Sequence, residues 1–118
     1  MNRVARQRLF DALEACRLIA LFTASRTFAD YEDDPMLSAA VERKFEIIGE
    51  ALRLADAADE SIVESIPELR LIVGLRNRII HGYDVVDNET IWNVIQVHIP
   101  RLRGQLESVM GDELGDTT

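Results

Sequence analysis

The stretch Arg76-Asn77-Arg78-Ile79-Ile80-His81-Gly82-Tyr83-Asp84 is where this chain concentrates side chains able to act on a phosphodiester. Arginine clamps a phosphate and stabilises charge that develops on it. Histidine, with an unperturbed pKa of about 6.5, gives or takes a proton at neutral pH. Asn77 and, just beyond Gly82, Tyr83 add further polar groups to the same stretch. Spacing complicates the picture. An ideal helix turns about 100° per residue, so Arg76 and His81 lie about 140° apart while Asn77 and His81 share a face. Arg76 and His81 converge if the helix ends at His81 and Gly82 turns the backbone, or if a second subunit completes the site. Both arrangements stay open at this point.

Other polar residues have simpler readings. Arg78 lies about 160° from Arg76 and belongs to a solvated face. His98 falls on an apolar stripe, as a satisfied core or interface histidine. Glu46 and Glu50 share a helix face and read as surface solvation, and Trp92 as a core or dimer residue. Asp84 follows the motif tyrosine and can support Arg76 or His81. With two histidines and one cysteine, none at ligand spacing, neither a metal site nor a cofactor is expected.

The elements that must hold this motif are helical. Leu9, Leu13, Cys16 and Ala20, with Phe10 and Ile19 beside them, predict an amphipathic helix from Asn2 to about Thr27. The acidic stretch Asp30 to Asp34 reads as a connector. Asp34 before Pro35 is a start signal, opening a second helix to about Ala57 on the stripe Met36, Val41, Phe45, Ile48, Leu52, Ala55. Gly49 inside it sacrifices helix propensity and marks a close helix–helix approach. Ser61 with Glu64 and Ser65 with Glu68 match capping boxes. The first would start a single turn, the second a third helix with Pro67 in its first turn. Leu71, Ile72, Leu75, Ile79 and Ile80 anchor that helix, and Gly82 stops it. Asp87 caps a fourth helix along Ile91, Ile95, His98, Leu102, Leu106 and Val109, kinked by Pro100. The expected fold is therefore all-α, an antiparallel four-helix bundle with a possible extra short helix. It would occupy residues 1–110, with a flexible tail over 111–118.

Composition agrees. The 118 residues are 47% hydrophobic but only 6% aromatic, which suits packed helices. One cysteine, Cys16, fits a reducing cytosol. Asp11, Glu14 and Arg17 interrupt any signal-peptide core, and no run is long enough to span a membrane, so a cytoplasmic protein is expected. The net charge of −8 opposes nucleic-acid binding by a global field, so any phosphate site must be local. Twelve of the thirteen bases are arginine, with Lys44 the exception, and arginine's planar fork suits phosphate.

The run from Arg76 to His81 resembles the Arg-x4-6-His motif of HEPN ribonucleases. Extended to Tyr83, and followed by Val86-Asp87 and Trp92, it is similar to the HepT-like branch, with its Arg-x4-His-x-Tyr signature. Ala40-Val41-Glu42-Arg43 and Ile47-Ile48-Gly49-Glu50-Ala51 resemble that branch's second helix. Ile66-Pro67 fits as well, although Glu68 stands where the family frequently has tryptophan. The likeness covers roughly residues 36 to 106. It implies a helical homodimer whose two motifs face a shared cleft and cleave RNA without a metal. Arg76 and His81 would be the catalytic pair and Asn77 the polar helper. An MntA-like nucleotidyltransferase antitoxin would attach AMP to Tyr83. The expected function is thus the endoribonuclease toxin of a toxin–antitoxin pair. The rival is a non-catalytic helical protein that binds nucleotides or partners such a nucleotidyltransferase.

Overall fold

A computed structural model describes residues 1–81 and 87–115, with only the backbone at His81 and at residues 112–115. Its elements are α1 (Arg3–Thr23), α2 (Phe28–Glu32), α3 (Pro35–Ala58), α4 (Ile62–Ser65), α5 (Leu69–His81), α6 (Asn88–Asn93), a π-helical turn (Val94–His98) and α7 (Ile99–Gly115). No strand occurs among the described residues, and the protein is all-α, as expected.

Four rods make the bundle: α1, α3, α5, and the continuous α6–π–α7 unit. The rods run antiparallel. Asn2, at the start of α1, donates from Nδ2 to the Ala58 carbonyl at the end of α3 (2.7 Å). Between α3 and α5, Gly49 meets Arg76 while the Asp56 end of α3 lines a groove with Leu69 and Arg70. α1 also packs against α7. Most of the stripe residues expected from periodicity close on one core, with Leu9, Ile19, Phe45, Ile48, Leu52, Ile72, Ile91, Leu102 and Leu106 fully buried, whereas Phe10, Met36 and Leu71, expected on the same apolar faces, are exposed.

Most helix starts follow their capping chemistry. Asn2 accepts from Ala5 N–H, Asp34 from Leu37 N–H, and Asp87 from Thr90 N–H (2.7 Å), each satisfying a donor that the first turn leaves orphaned. The serine boxes behave differently. Ser61 precedes the single turn α4 without capping it, because its hydroxyl donates to Asp59 (2.7 Å). Ser65 ends α4, and α5 begins later, at Leu69. Glu68 reaches across the bundle instead: its carboxylate meets His98 Nδ1 at 2.8 Å and its N–H donates to Gln105 Oε1. His98 is thus satisfied at an interface between rods.

Two further expectations change. The acidic connector is helix α2, opened by a reciprocal capping box between Thr27 and Asp30. Its driving residue is Tyr31, fully buried and packed on Trp92 with ring centroids 5.6 Å apart. The first helix stops earlier, at Thr23, and Ser25 adopts a left-handed backbone (φ 62°). At Pro100, where a kink is expected, the last rod continues as helix. The turn before it widens to π geometry, with Ile99 N–H donating to the Val94 carbonyl, so the frame absorbs the missing proline donor. The same rod stays helical to Gly115, past residue 110.

Candidate active site

Arg76 projects from the last half of α5, and α3 decides where it stands. The approach expected at Gly49 is real: a Cβ there would lie 2.3 Å from Arg76 Cβ and 2.5 Å from Cγ. The arginine stem therefore lies directly on the α3 backbone. Its Nε is sealed from solvent with no partner among the described residues. The Nη2 donates to Glu50 Oε2 at 2.9 Å and the Nη1 to Asn77 Oδ1 at 3.0 Å. Glu50 is gripped in turn by Arg53, whose Nη2 and Nε reach its two oxygens at 2.7 and 3.2 Å. Arg53's hydrogen bonds first, and then the charges of Arg53, Arg76 and Arg8, hold the Glu50 carboxyl below its ordinary range, so it stays ionised at neutral pH.

The chemical consequence is a preset guanidinium. Each terminal nitrogen of an arginine carries two N–H donors. Glu50 and Asn77 each occupy one, which leaves one on each nitrogen for an anion. The Arg53–Glu50–Arg76 chain keeps a net positive charge. Arg76 remains only 20% exposed, and it lines a cleft of about 440 Å³ between α1, α3 and α5.

Asn77 is exposed beside Arg76, and Arg78 is exposed as well. Ile79 packs on the core, but Ile80 does not: it is 44% exposed and borders the cleft. Its anchoring role falls to Leu75 and Ile72, which are buried. His81 is the last residue of α5, one turn beyond Asn77 on the same helix face. Its side chain lies outside the described residues, as do Gly82, Tyr83 and Asp84. Cys16 is no nucleophile, since burial pushes its thiol up to about 12. Among the described residues, no helix is long and apolar enough to cross a membrane.

Glu50 is the residue that sequence reasoning missed, having been assigned to solvation with Glu46. The available signal was its neighbour. A glycine that brings two helices together places the next side chain at the seam.

Comparison with known proteins follows the same direction. The model of the family described as Ribonuclease HepT-like matches residues 12–109. A protein of Thermococcus cleftensis named Probable ribonuclease HepT is 34% identical over 109 residues, covering 92% of this chain and 98% of its own. Two proteins whose names mark them as candidate RNases are similar as well. One, from Methanocaldococcus jannaschii, is 31% identical over 86% of this chain and 92% of its own. The other, from Caldanaerobacter subterraneus, is 30% identical over 94% and 98%. No solved structure matches the chain.

Proposed function

The chain belongs to the HepT-like ribonuclease family of the HEPN superfamily, and from that premise we propose that it is a metal-independent endoribonuclease, the toxin of a two-gene toxin–antitoxin system. The observation that carries the reading is the preset Arg76 guanidinium, locked by Gly49, Glu50 and Asn77 at the wall of a cleft.

In this mechanism Arg76 binds the scissile phosphate with its two remaining N–H donors and stabilises the charge that builds on it. Because the guanidinium is already oriented, little ordering remains when substrate binds. His81 acts as general base toward the ribose 2′-hydroxyl or general acid toward the leaving oxygen, a contribution of about 10²–10⁴-fold. Asn77 holds Arg76 and shares a helix face with His81, so it can orient either. The protein works as a homodimer whose two motifs face a common cleft, which also answers the spacing between Arg76 and His81. A cognate nucleotidyltransferase neutralises it by adding AMP to Tyr83, setting a bulky phosphodiester within reach of Arg76; Asp84 supports the same site.

The test is cleavage of RNA by purified protein in excess EDTA. Wild type cleaves; Arg76→Ala and His81→Ala keep their helical content and do not. Activity that vanishes in chelator and returns with magnesium refutes the mechanism. A wild-type protein, free of AMP by intact mass, that cleaves nothing favours the non-catalytic partner reading. Tyr83→Phe stays nucleolytic and gains no AMP on co-expression with the transferase; AMP found on another residue removes Tyr83 from the scheme.

A further inference from the structure

The cleft beside Arg76 is lined by four bases, Arg8, Arg43, Lys44 and Arg76, and four acids, and Arg17 and Arg53 add two further bases as ion-pair partners of those acids. Its acidic residues are engaged: Glu14 with Arg17 (3.2 Å), Glu46 with Arg43 (3.2 Å), Glu50 with Arg53 and Arg76, and Asp11 with the Gln7 amide (3.0 Å). Two of its bases are not. Arg8 on α1 and Lys44 on α3 both line the cleft, and neither has a carboxylate within 4.0 Å among the described residues. Both are half-buried, unlike the exposed, solvated arginines elsewhere on the surface such as Arg3 and Arg70. Arg8 is close enough for its charge to act on Glu50, which ties it to the Arg76 end of the cleft.

The same cleft has an apolar wall that includes Ala15, Leu18, Ile47 and Ile80. An apolar wall with a few polar groups at its rim, at about 440 Å³, is the construction of a small-ligand site. Its contents are specified by the charges: a ligand with an anionic group and a flat, apolar body.

We propose that this cleft seats the nucleotide adjoining the scissile bond, its phosphate held by Arg8 and Lys44 and its ribose and base lying on the apolar wall. The assignment rests on the ribonuclease reading and gives Arg76 a direction, with the RNA strand running from its guanidinium across α3 toward α1. It also resolves a conflict in composition. A chain of net charge −8 has no global field to draw in RNA, so capture depends on cations left uncommitted at one place.

The experiment compares wild type, Arg8→Gln, Lys44→Gln and the charge-retaining Arg8→Lys. Two substrates are used: a dinucleoside monophosphate, and the same step extended by one nucleotide on each side. Only the longer one offers flanking phosphates. Each glutamine variant is expected to lower kcat/KM on the extended substrate about tenfold more than on the dinucleotide, through KM, as expected for a lost charged hydrogen bond. The salt dependence of KM should become shallower by about 0.7 per lost phosphate contact. Arg8→Lys should recover most of the Arg8→Gln loss. Equal losses on both substrates, or none, overturn the subsite. A binding arm separates this from the ribonuclease reading itself. Fluorescence anisotropy with the extended oligonucleotide, 2′-deoxy at the cleavage step, reports the cleft without turnover. Wild-type binding that weakens in the glutamine variants keeps the subsite even where no cleavage is seen, and that outcome counts against catalysis. Binding unaffected by either variant removes the subsite.

Discussion

Gly49→Ala sets two effects of opposite sign against each other, and the structure says which wins. Alanine is the better helix former by about 0.8–1.0 kcal/mol in a helix interior, so on α3 alone the substitution stabilises. Against α5 it cannot fit. The new Cβ would lie 2.3, 2.5 and 3.2 Å from Arg76 Cβ, Cγ and Cδ. The two nearest atoms are the root of the side chain, so a rotamer change at the guanidinium end does not relieve them. The two helices must move apart or slide by about an ångström, and overpacking of that kind costs roughly 1–3 kcal/mol. The clash sits at the severe end of that range, so the net effect is a loss of about 1–2 kcal/mol. At roughly 4 °C per kcal/mol for a domain of this size, the thermal midpoint falls by about 4–8 °C. Activity should fall further than stability. The displaced stem carries the guanidinium away from Glu50, and a misplacement of about 1 Å at a catalytic group can cost about 10²-fold. Melting followed by circular dichroism, with single-turnover cleavage well below the midpoint, measures both quantities. A midpoint that rises by the propensity difference would show that the α3–α5 contact is not as described. A midpoint that falls with cleavage intact would show that Arg76 does not depend on it.

Other perturbations test neighbouring parts of the argument. Glu50→Ala frees Arg76 and should lower kcat on the order of tenfold while Glu50→Gln, which keeps an acceptor for Nη2, stays closer to wild type; equal loss in both would assign the effect to charge and not to positioning. His98→Ala strands the Glu68 carboxylate, which is only 13% exposed, and should cost about 1–3 kcal/mol in urea denaturation without altering kcat. Asp87→Ala removes the cap of α6. The Thr90 backbone N–H, first, and then the Thr90 side chain hold the Asp87 carboxyl below its ordinary 3.8. Its contribution is therefore present above that value and lost as pH falls through the folded-state pKa. Thermal midpoints of the variant and wild type should differ at pH 7 and converge in acid; a difference independent of pH would assign the effect to something other than the carboxylate.

The acidity of the chain has a mechanistic reading. Among the described residues, the cleft acids Glu14, Glu46 and Glu50 are partners for arginine, so they orient cations as much as they repel RNA. Such a surface disfavours indiscriminate capture of nucleic acid and leaves recognition to the few bases that remain unpaired.

What the amino-acid order determined here is local. Period-3.6 stripes marked the four rods, and caps that act within three residues, Asn2, Asp34 and Asp87, placed three of their starts closely. Gly49 was legible for a related reason, since an interior glycine on an apolar helix face is costly unless another backbone needs the space. Arg76 and Asn77, neighbours in the sequence, are also hydrogen-bonded neighbours near the end of α5. Tertiary structure alone decided the partners. Tyr31 sits among acids with no periodic companions, so its burial against Trp92 depends on where α6 lies. Glu68 looked like a cap for its own helix and instead meets His98, thirty residues away. Glu50 and Arg76 belong to different rods, and the cleft needs three of them. Periodicity tells a helix which face to bury, but it is blind to which helix will cover that face and at what height along the axis. That register is set by the packing of all the rods together, and the geometry around Arg76 follows from it.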